Sequence, residues 1–161
     1  MTVFLLLSAF GIGIVAGLRA LTAPAVTAWA AHWGWLDLSN SHLAFLGTSS
    51  AASILSAMAL GELVVDKLPS TPNRTAPFGL GARLVTGGLC GAAVFISAQQ
   101  SFLVGTALGA VGGIAGAFCG YHARQTLVQK LHLPDFAVAL AEDFLAVGGS
   151  LLLLSRINMP G

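Results

Sequence analysis

The sequence predicts an all-α integral membrane protein with about five transmembrane helices, on three observations. Of its 161 residues, 56% are hydrophobic and only 8% are charged, whereas about a quarter of the residues in a soluble domain are charged. The mean hydropathy is +0.86. Apolar runs of roughly 20 residues, the length that crosses a bilayer, recur along the chain. We therefore expect one transmembrane domain over residues 1–161, with the lipid bilayer as its partner.

These runs place the candidate spans at about 3–31, 43–65, 79–98, 102–123 and 136–154. The first run is unusually long, carries Arg19 in its interior and contains Pro24. Two interpretations stay open for it: a kinked helix, or a span followed by an interfacial segment. Three tryptophans between Trp29 and Trp35 form an aromatic belt typical of a membrane surface.

The orientation follows from the Lys and Arg residues of the short loops, which concentrate on the cytoplasmic side of membrane proteins. Two connections carry them, at 66–83 and 122–135, and the loops at 32–42 and 99–101 carry none. Five spans then predict a bacterial inner-membrane protein with a cytoplasmic N-terminus and an external C-terminus. The first and last hairpins would run in opposite directions, which suits an inverted repeat of the kind found in transporters.

Glycines follow one another at intervals of four in the fourth span. Two such ladders are present, and their members are Gly105, Gly109 and Gly113, then Gly112, Gly116 and Gly120. Small residues at this spacing form a groove into which another helix backbone fits closely. The ladders predict glycine-mediated helix packing, either within the chain or at the interface of a homodimer. A net charge of +1 without a basic stretch argues against binding to nucleic acid.

Two acidic pairs interrupt the apolar pattern near the predicted cytoplasmic side. Glu62 and Asp66 are four residues apart and share a helix face, and Glu142 and Asp143 lie two turns into the fifth span, after Asp135. Like charges repel strongly where the dielectric constant is low, so the pairs need a basic partner, a bound cation or a proton. The residues that we expect as charge partners are Arg19, Lys67, Arg83, His122 and Arg124.

Three functions fit this cluster. Ionisable residues inside a membrane commonly mark a substrate path, which predicts a transporter or channel for a cation or a proton-coupled solute, bound by Glu62, Asp66, Glu142 and Asp143. Four acids against four permanent cations also fit a scaffold with structural ion pairs. A lipid-headgroup enzyme is the third hypothesis, with paired acids holding Mg²⁺ and Arg74 or Arg83 on the phosphate. No cofactor is evident from a motif, and a divalent cation would suit the acids.

Several motifs together resemble a known family. GLRA lies in the first span, ELVVDKLP closes the second and LAEDFLAV lies in the fifth. The chain resembles a bacterial family of small multi-span membrane proteins that is catalogued only as a domain of unknown function. The resemblance implies a helical membrane protein and implies no activity. The positions that carry the resemblance are Arg19, Glu62, Asp66, Lys67, Pro69, Arg83, His122, Glu142 and Asp143.

Overall fold

A computed structural model of the chain describes residues 2–65, 76–130 and 132–157. In these ranges the regular structure is helical, which confirms the predicted all-α fold. The elements are α1 (Thr2–Leu18), α2 (Thr22–His32), a short 3-10 helix (Ala44–Gly47), α3 (Ser49–Val65), α4 (Pro77–Ser97), α5 (Phe102–Gln129) and α6 (Asp135–Ser155).

Helix length and composition identify a membrane protein. Among the described residues, α4, α5 and α6 are each long and apolar enough to cross a bilayer, and Val3–Leu18 and Ser49–Val65 are shorter apolar helices. Large apolar side chains such as Phe78, Phe144 and Leu152 point outward. An outward-facing apolar surface of this kind suits hydrocarbon surroundings.

The sequence predicted one first span at about 3–31, but this segment forms two helices. α1 runs antiparallel to α4, because Arg83 near the start of α4 donates a hydrogen bond to the carbonyl of Gly17 near the end of α1. α1 also runs antiparallel to α6. Gly11 lies against Leu153, so the early part of α1 adjoins the late part of α6.

α2 folds back alongside α1 rather than continuing it. The Thr27 hydroxyl lies within hydrogen-bonding reach of the Cys90 thiol. Cys90 lies seven residues beyond Arg83, about 10 Å along α4 towards the start of α1. A continuing α2 would put Thr27 on the opposite side of the break, about 20 Å away. The single first span is therefore corrected to a helical hairpin, which turns at residues 19–21 rather than at Pro24.

The bundle has two distinct ends. At the charged end the α1–α2 hairpin turns, α3 and α5 finish, and α4 and α6 begin. At the tryptophan end lie the start of α1 and the end of α6. The rings of Trp29, Trp33 and Trp35 follow one another there, with centroids 5.4 and 5.3 Å apart, as expected of an aromatic belt.

Glycines bring α5 into direct backbone contact with α1 and α4. A Cβ atom on Gly109 would collide with the carbonyl of Gly87 in α4, and one on Gly116 would collide with the carbonyl of Ile14 in α1. Gly120 is also buried. The predicted glycine packing therefore occurs within one chain. The homodimer stays a prediction, and this ladder does not support it.

A charged helix break as the candidate functional site

The turn between α1 and α2 lies inside the bundle. Arg19 is 0% exposed and Ala20 and Thr22 are buried. Arg83, which contacts this turn, is six residues into α4, so the turn lies about 9 Å from the charged end of that helix. A break at this depth leaves helix-end N–H and C=O groups without intrahelical partners and without bulk water. Other groups of the protein must therefore bind them.

Glu62 of α3 binds the free N–H groups at the start of α2. Its Oε1 accepts a hydrogen bond from Ala20 N at 2.7 Å, and its Oε2 accepts one from Leu21 N at 2.8 Å. A carboxylate at a helix N-terminus also interacts favourably with the helix dipole. Pro24 lies in the first turn of α2, where its missing N–H removes no helical bond. Glu62 therefore replaces the missing cap of α2.

Arg83 of α4 plays the complementary part at the end of α1. Its Nε donates to the carbonyl oxygen of Gly17 at 3.0 Å, and its Nη1 donates to the carbonyl of Gly79 at 3.0 Å. The side chain is buried. A guanidinium at a helix C-terminus neutralises the negative end of the dipole while satisfying a free carbonyl. The two ends of the broken helix are thus bound by side chains of opposite charge.

Arg19 occupies the turn itself and pairs with α6. Its Nη2 lies 2.8 Å from Oδ1 of Asp143, and the two side chains are 0% and 14% exposed. Removing an arginine from water is expensive unless an anion lies close to it. This pair joins the hairpin tip to the first half of α6.

A second ion pair extends from α6 towards the charged end. Arg124 of α5 makes a two-pronged contact with Asp135, at 2.9 Å from Nε and 2.7 Å from Nη2. The Nη1 atom of the same guanidinium lies 3.7 Å from Oε2 of Glu142. Arg124 therefore stands between a surface carboxylate and a buried one.

The structure brings four of the predicted site residues to this break, namely Arg19, Glu62, Arg83 and Asp143. Glu62 and Asp143, from different helices, both contact the turn, at Ala20–Leu21 and at Arg19. The ring of His122 is exposed and lies edge-on against Tyr121, with centroids 5.3 Å apart, and its role as a charge partner stays a prediction. The predicted site residues Asp66 and Lys67, and also Pro69 and Arg74, lie outside the described residues.

Sequence reasoning missed the backbone partners of the site. The N–H groups of Ala20 and Leu21 and the carbonyls of Gly17 and Gly79 carry no mark in the sequence. Pro24 offers one signal, since proline is typical of a first helical turn and so indicates a helix start just before it. In the described part of the chain, no three His, Cys, Asp or Glu residues group in a way that would hold a metal ion.

Comparison with known proteins identifies the family and nothing further. No curated protein and no solved structure matches the chain. The model of one family, described as a domain of unknown function (DUF4126), matches residues 6–156. This match includes all the helices that surround the break. The chain therefore belongs to the DUF4126 family of domains of unknown function.

Proposed function

We propose that the protein is a small membrane transporter or channel that moves protons or a small cation, or couples a solute to them. The ion pairs at the helix break form its path. The observation that carries the proposal is the buried Arg19–Asp143 pair at the tip of a re-entrant helical hairpin. Transporters use broken helices at membrane depth for their ion and substrate sites.

The exposure of the ionisable side chains supports a path towards the charged end. From the hairpin outward, Arg19 and Asp143 are 0% and 14% exposed, Glu142 and Arg124 are 11% and 20% exposed, and Asp135 is 59% exposed. These side chains are linked in order, because Arg19 pairs with Asp143 and Arg124 contacts both Glu142 and Asp135. Glu142 and Asp143 are consecutive residues of α6. A carboxylate in such a series loses its negative charge, and with it the attraction to its arginine, when it takes up a proton. Protons would thus pass from Asp135 to Glu142 and Asp143.

Stability alone is a weak reason for such an arrangement. A buried ion pair is often no more stabilising than apolar residues of the same volume, because both charges lose their hydration. A continuous apolar helix in place of the hairpin would also need no partners for free backbone groups. The cost of the break therefore favours a functional role, by the general rule that ionisable residues in membranes mark ion pathways.

We further propose that the charged end faces the cytoplasm of a bacterium and that the tryptophan end faces outward. Arg124 and Lys130 lie at the charged end, in the last part of α5 and directly after it, whereas Arg156 follows α6 at the tryptophan end. Lys67 and Arg74 belong in sequence to the connection between α3 and α4. With α1 and α2 antiparallel, the same count of basic residues puts the start of α1 and the end of α6 on the same, outer side. Reporter fusions before α1 and after α6 would show equal activity under this proposal and opposite activity under a five-span topology.

A scaffold with structural ion pairs is the second candidate. It is favoured by the close match of charges at the break, where Asp143 pairs with Arg19, Asp135 with Arg124, and Glu62 with two N–H donors. The two candidates differ in what neutralising a carboxylate does to stability and to flux.

The test is ion flux in proteoliposomes, with thermal unfolding measured on the same preparations. Wild type, Asp143→Asn and Glu142→Gln would be compared under gradients of H⁺, Na⁺, K⁺ and Mg²⁺. Asp37→Asn is the matched control, because this carboxylate lies in the exposed loop at the tryptophan end, remote from the break. We expect wild type and Asp37→Asn to carry protons or a cation, and the two α6 variants to lose at least most of that flux while remaining folded.

The outcome separates the candidates. Wild type without flux of any tested ion, together with α6 variants that unfold at lower temperature, would establish the scaffold and refute transport. Variants that keep their unfolding temperature and lose flux would refute the scaffold. Unfolding temperature that rises with Mg²⁺ in wild type alone would identify a bound cation at the acidic cluster.

A further inference from the structure

Ser8 is a polar residue of the interior that the charged break does not use. It lies in α1, is 0% exposed, and its hydroxyl has no hydrogen-bond partner among the described residues. The other wholly buried hydroxyls behave differently, since Thr27 donates to Ala23 O at 2.8 Å and Ser150 donates to Ala146 O at 2.7 Å. A buried hydroxyl without a partner is costly, and a polar interior site commonly binds water. Ser8 is therefore a candidate water-binding group.

The helix register aligns Ser8 and Ser150 with the ion pair at the hairpin tip. Ser8 and Arg19 are eleven residues apart, about three turns, so they lie on the same face of α1. Asp143 and Ser150 are seven residues apart, about two turns, and share a face of α6. Because α1 and α6 are antiparallel, both serines lie on the tryptophan-end side of the Arg19–Asp143 pair. Gly11 lies against Leu153 and Val15 against Gly149, so Ser150 lies no farther out than the middle of this stretch of α1, and only Ser8 lies beyond it.

Ile12 lies between Ser8 and the Arg19–Asp143 pair along α1. It lies one turn from Ser8 and two turns from Arg19 on the same face of α1, and it is 0% exposed. Ala16, next along this face, is also 0% exposed. Apolar constrictions stop water and ions by dewetting, and channels use them as gates.

We propose that Ser8 lines the outer half of the transport path and binds water there, and that Ile12 is the apolar gate between this half and the Arg19–Asp143 pair. The inference rests on the proposed function, and it extends the proposed transport path from the ion pairs to the tryptophan end. Its ligands are water and the transported proton or small cation. The inner half is charged, the outer half carries the Ser8 hydroxyl, and the closed gate keeps the two halves apart.

Water access is tested first, without reference to transport. In a background with Cys90→Ala and Cys119→Ala, Ser8→Cys would be treated with Ag⁺ in liposomes, with Ala9→Cys as control, because Ala9 is equally buried on another face of α1. We expect Ser8→Cys to react and Ala9→Cys to stay protected. Equal protection of both would overturn the water-binding site.

Gating is tested by proton flux. We expect Ile12→Ala to raise the proton leak roughly tenfold, which corresponds to about 1.4 kcal/mol of barrier height. Leu46→Ala is the control, because it removes an equally buried side chain in the 3-10 helix. If the proton leak of Ile12→Ala is no greater than that of Leu46→Ala, the gate is refuted. This holds even if wild type carries flux and Asp143→Asn loses it, a result that would support the proposed function. Wild type without flux but with reactive Ser8→Cys would refute the proposed function alone and support the hydrated site.

Discussion

Replacing Glu62 by alanine would leave the start of α2 without its cap. Hydrogen bonds to a charged acceptor contribute about 1.5–3 kcal/mol each, whereas interhelical hydrogen bonds in membranes average about 0.6 kcal/mol. Glu62 is half-buried and accepts two bonds, from Ala20 N and Leu21 N. We therefore expect Glu62→Ala to lower the free energy of unfolding by about 2–4 kcal/mol. The free energy of unfolding of Glu62→Gln should lie between those of wild type and Glu62→Ala, because its uncharged amide oxygen replaces only one of the two acceptors.

The measurement is equilibrium unfolding in mixed detergent micelles, followed by tryptophan fluorescence. Trp29 suits this purpose, because its Nε1 donates to Ser56 Oγ at 2.9 Å and so reports the contact of α2 with α3. Asp37→Ala is the matched control. Asp37 also accepts two hydrogen bonds, from Ser39 N and Ser39 Oγ, but it is exposed and its partner is two residues away. These bonds hold the pKa of Asp37 below its ordinary value, yet water replaces them readily.

The ranking of the variants by free energy of unfolding tests the capping role of Glu62. We expect wild type and Asp37→Ala to be close, Glu62→Gln lower and Glu62→Ala lowest. Near-wild-type stability of Glu62→Ala, or a loss equal to that of Asp37→Ala, would refute the capping role of Glu62.

Three further predictions concern packing and charge. Gly109→Ala should lower the unfolding temperature strongly, at a cost of about 1–3 kcal/mol or more, because its Cβ would strike the α4 backbone. Gly61→Ala, whose Cβ would meet open space among the described residues, should be neutral or slightly stabilising. Arg83→Lys should lose about 1–2 kcal/mol in the same denaturation assay, because an ammonium lacks the planar fork that reaches two carbonyls. Arg19→Met should cost about 3–5 kcal/mol, and adding Asp143→Leu should restore most of it; additive losses in this double-mutant cycle would contradict the pairing.

The sequence predicted the features that depend on spacing. Glycines at intervals of four predicted close helix packing, and α5 is buried along that ladder by α1 and α4. Glu62, Glu142 and Asp143 were recognised because charges within apolar runs need partners. The sequence did not predict which helix packs against each ladder, because the spacing indicates only that another helix backbone lies close.

The reversal between α1 and α2 was not predictable for a different reason. The turn Arg19–Leu21 contains no Gly, Pro, Asn or Asp, so the usual turn signals are missing. It is held by tertiary contacts, with Glu62 on its N–H groups and Arg83 on the carbonyl of Gly17. Hydropathy alone therefore predicts one long span, whereas the segment forms two helices.

The charged residues at the break divide into two kinds, and the division bears on function. Glu62 and Arg83 bind backbone groups, so changing their charge exposes a helix end and should reduce stability whatever the protein does. Arg19, Arg124 and the acids of α6 bind one another through side chains. A proton on Asp143 weakens its ion pair with Arg19 without exposing a helix end. A transporter would therefore tolerate neutral substitutions in α6 far better in folding than in flux, whereas a scaffold would lose stability at both kinds of position.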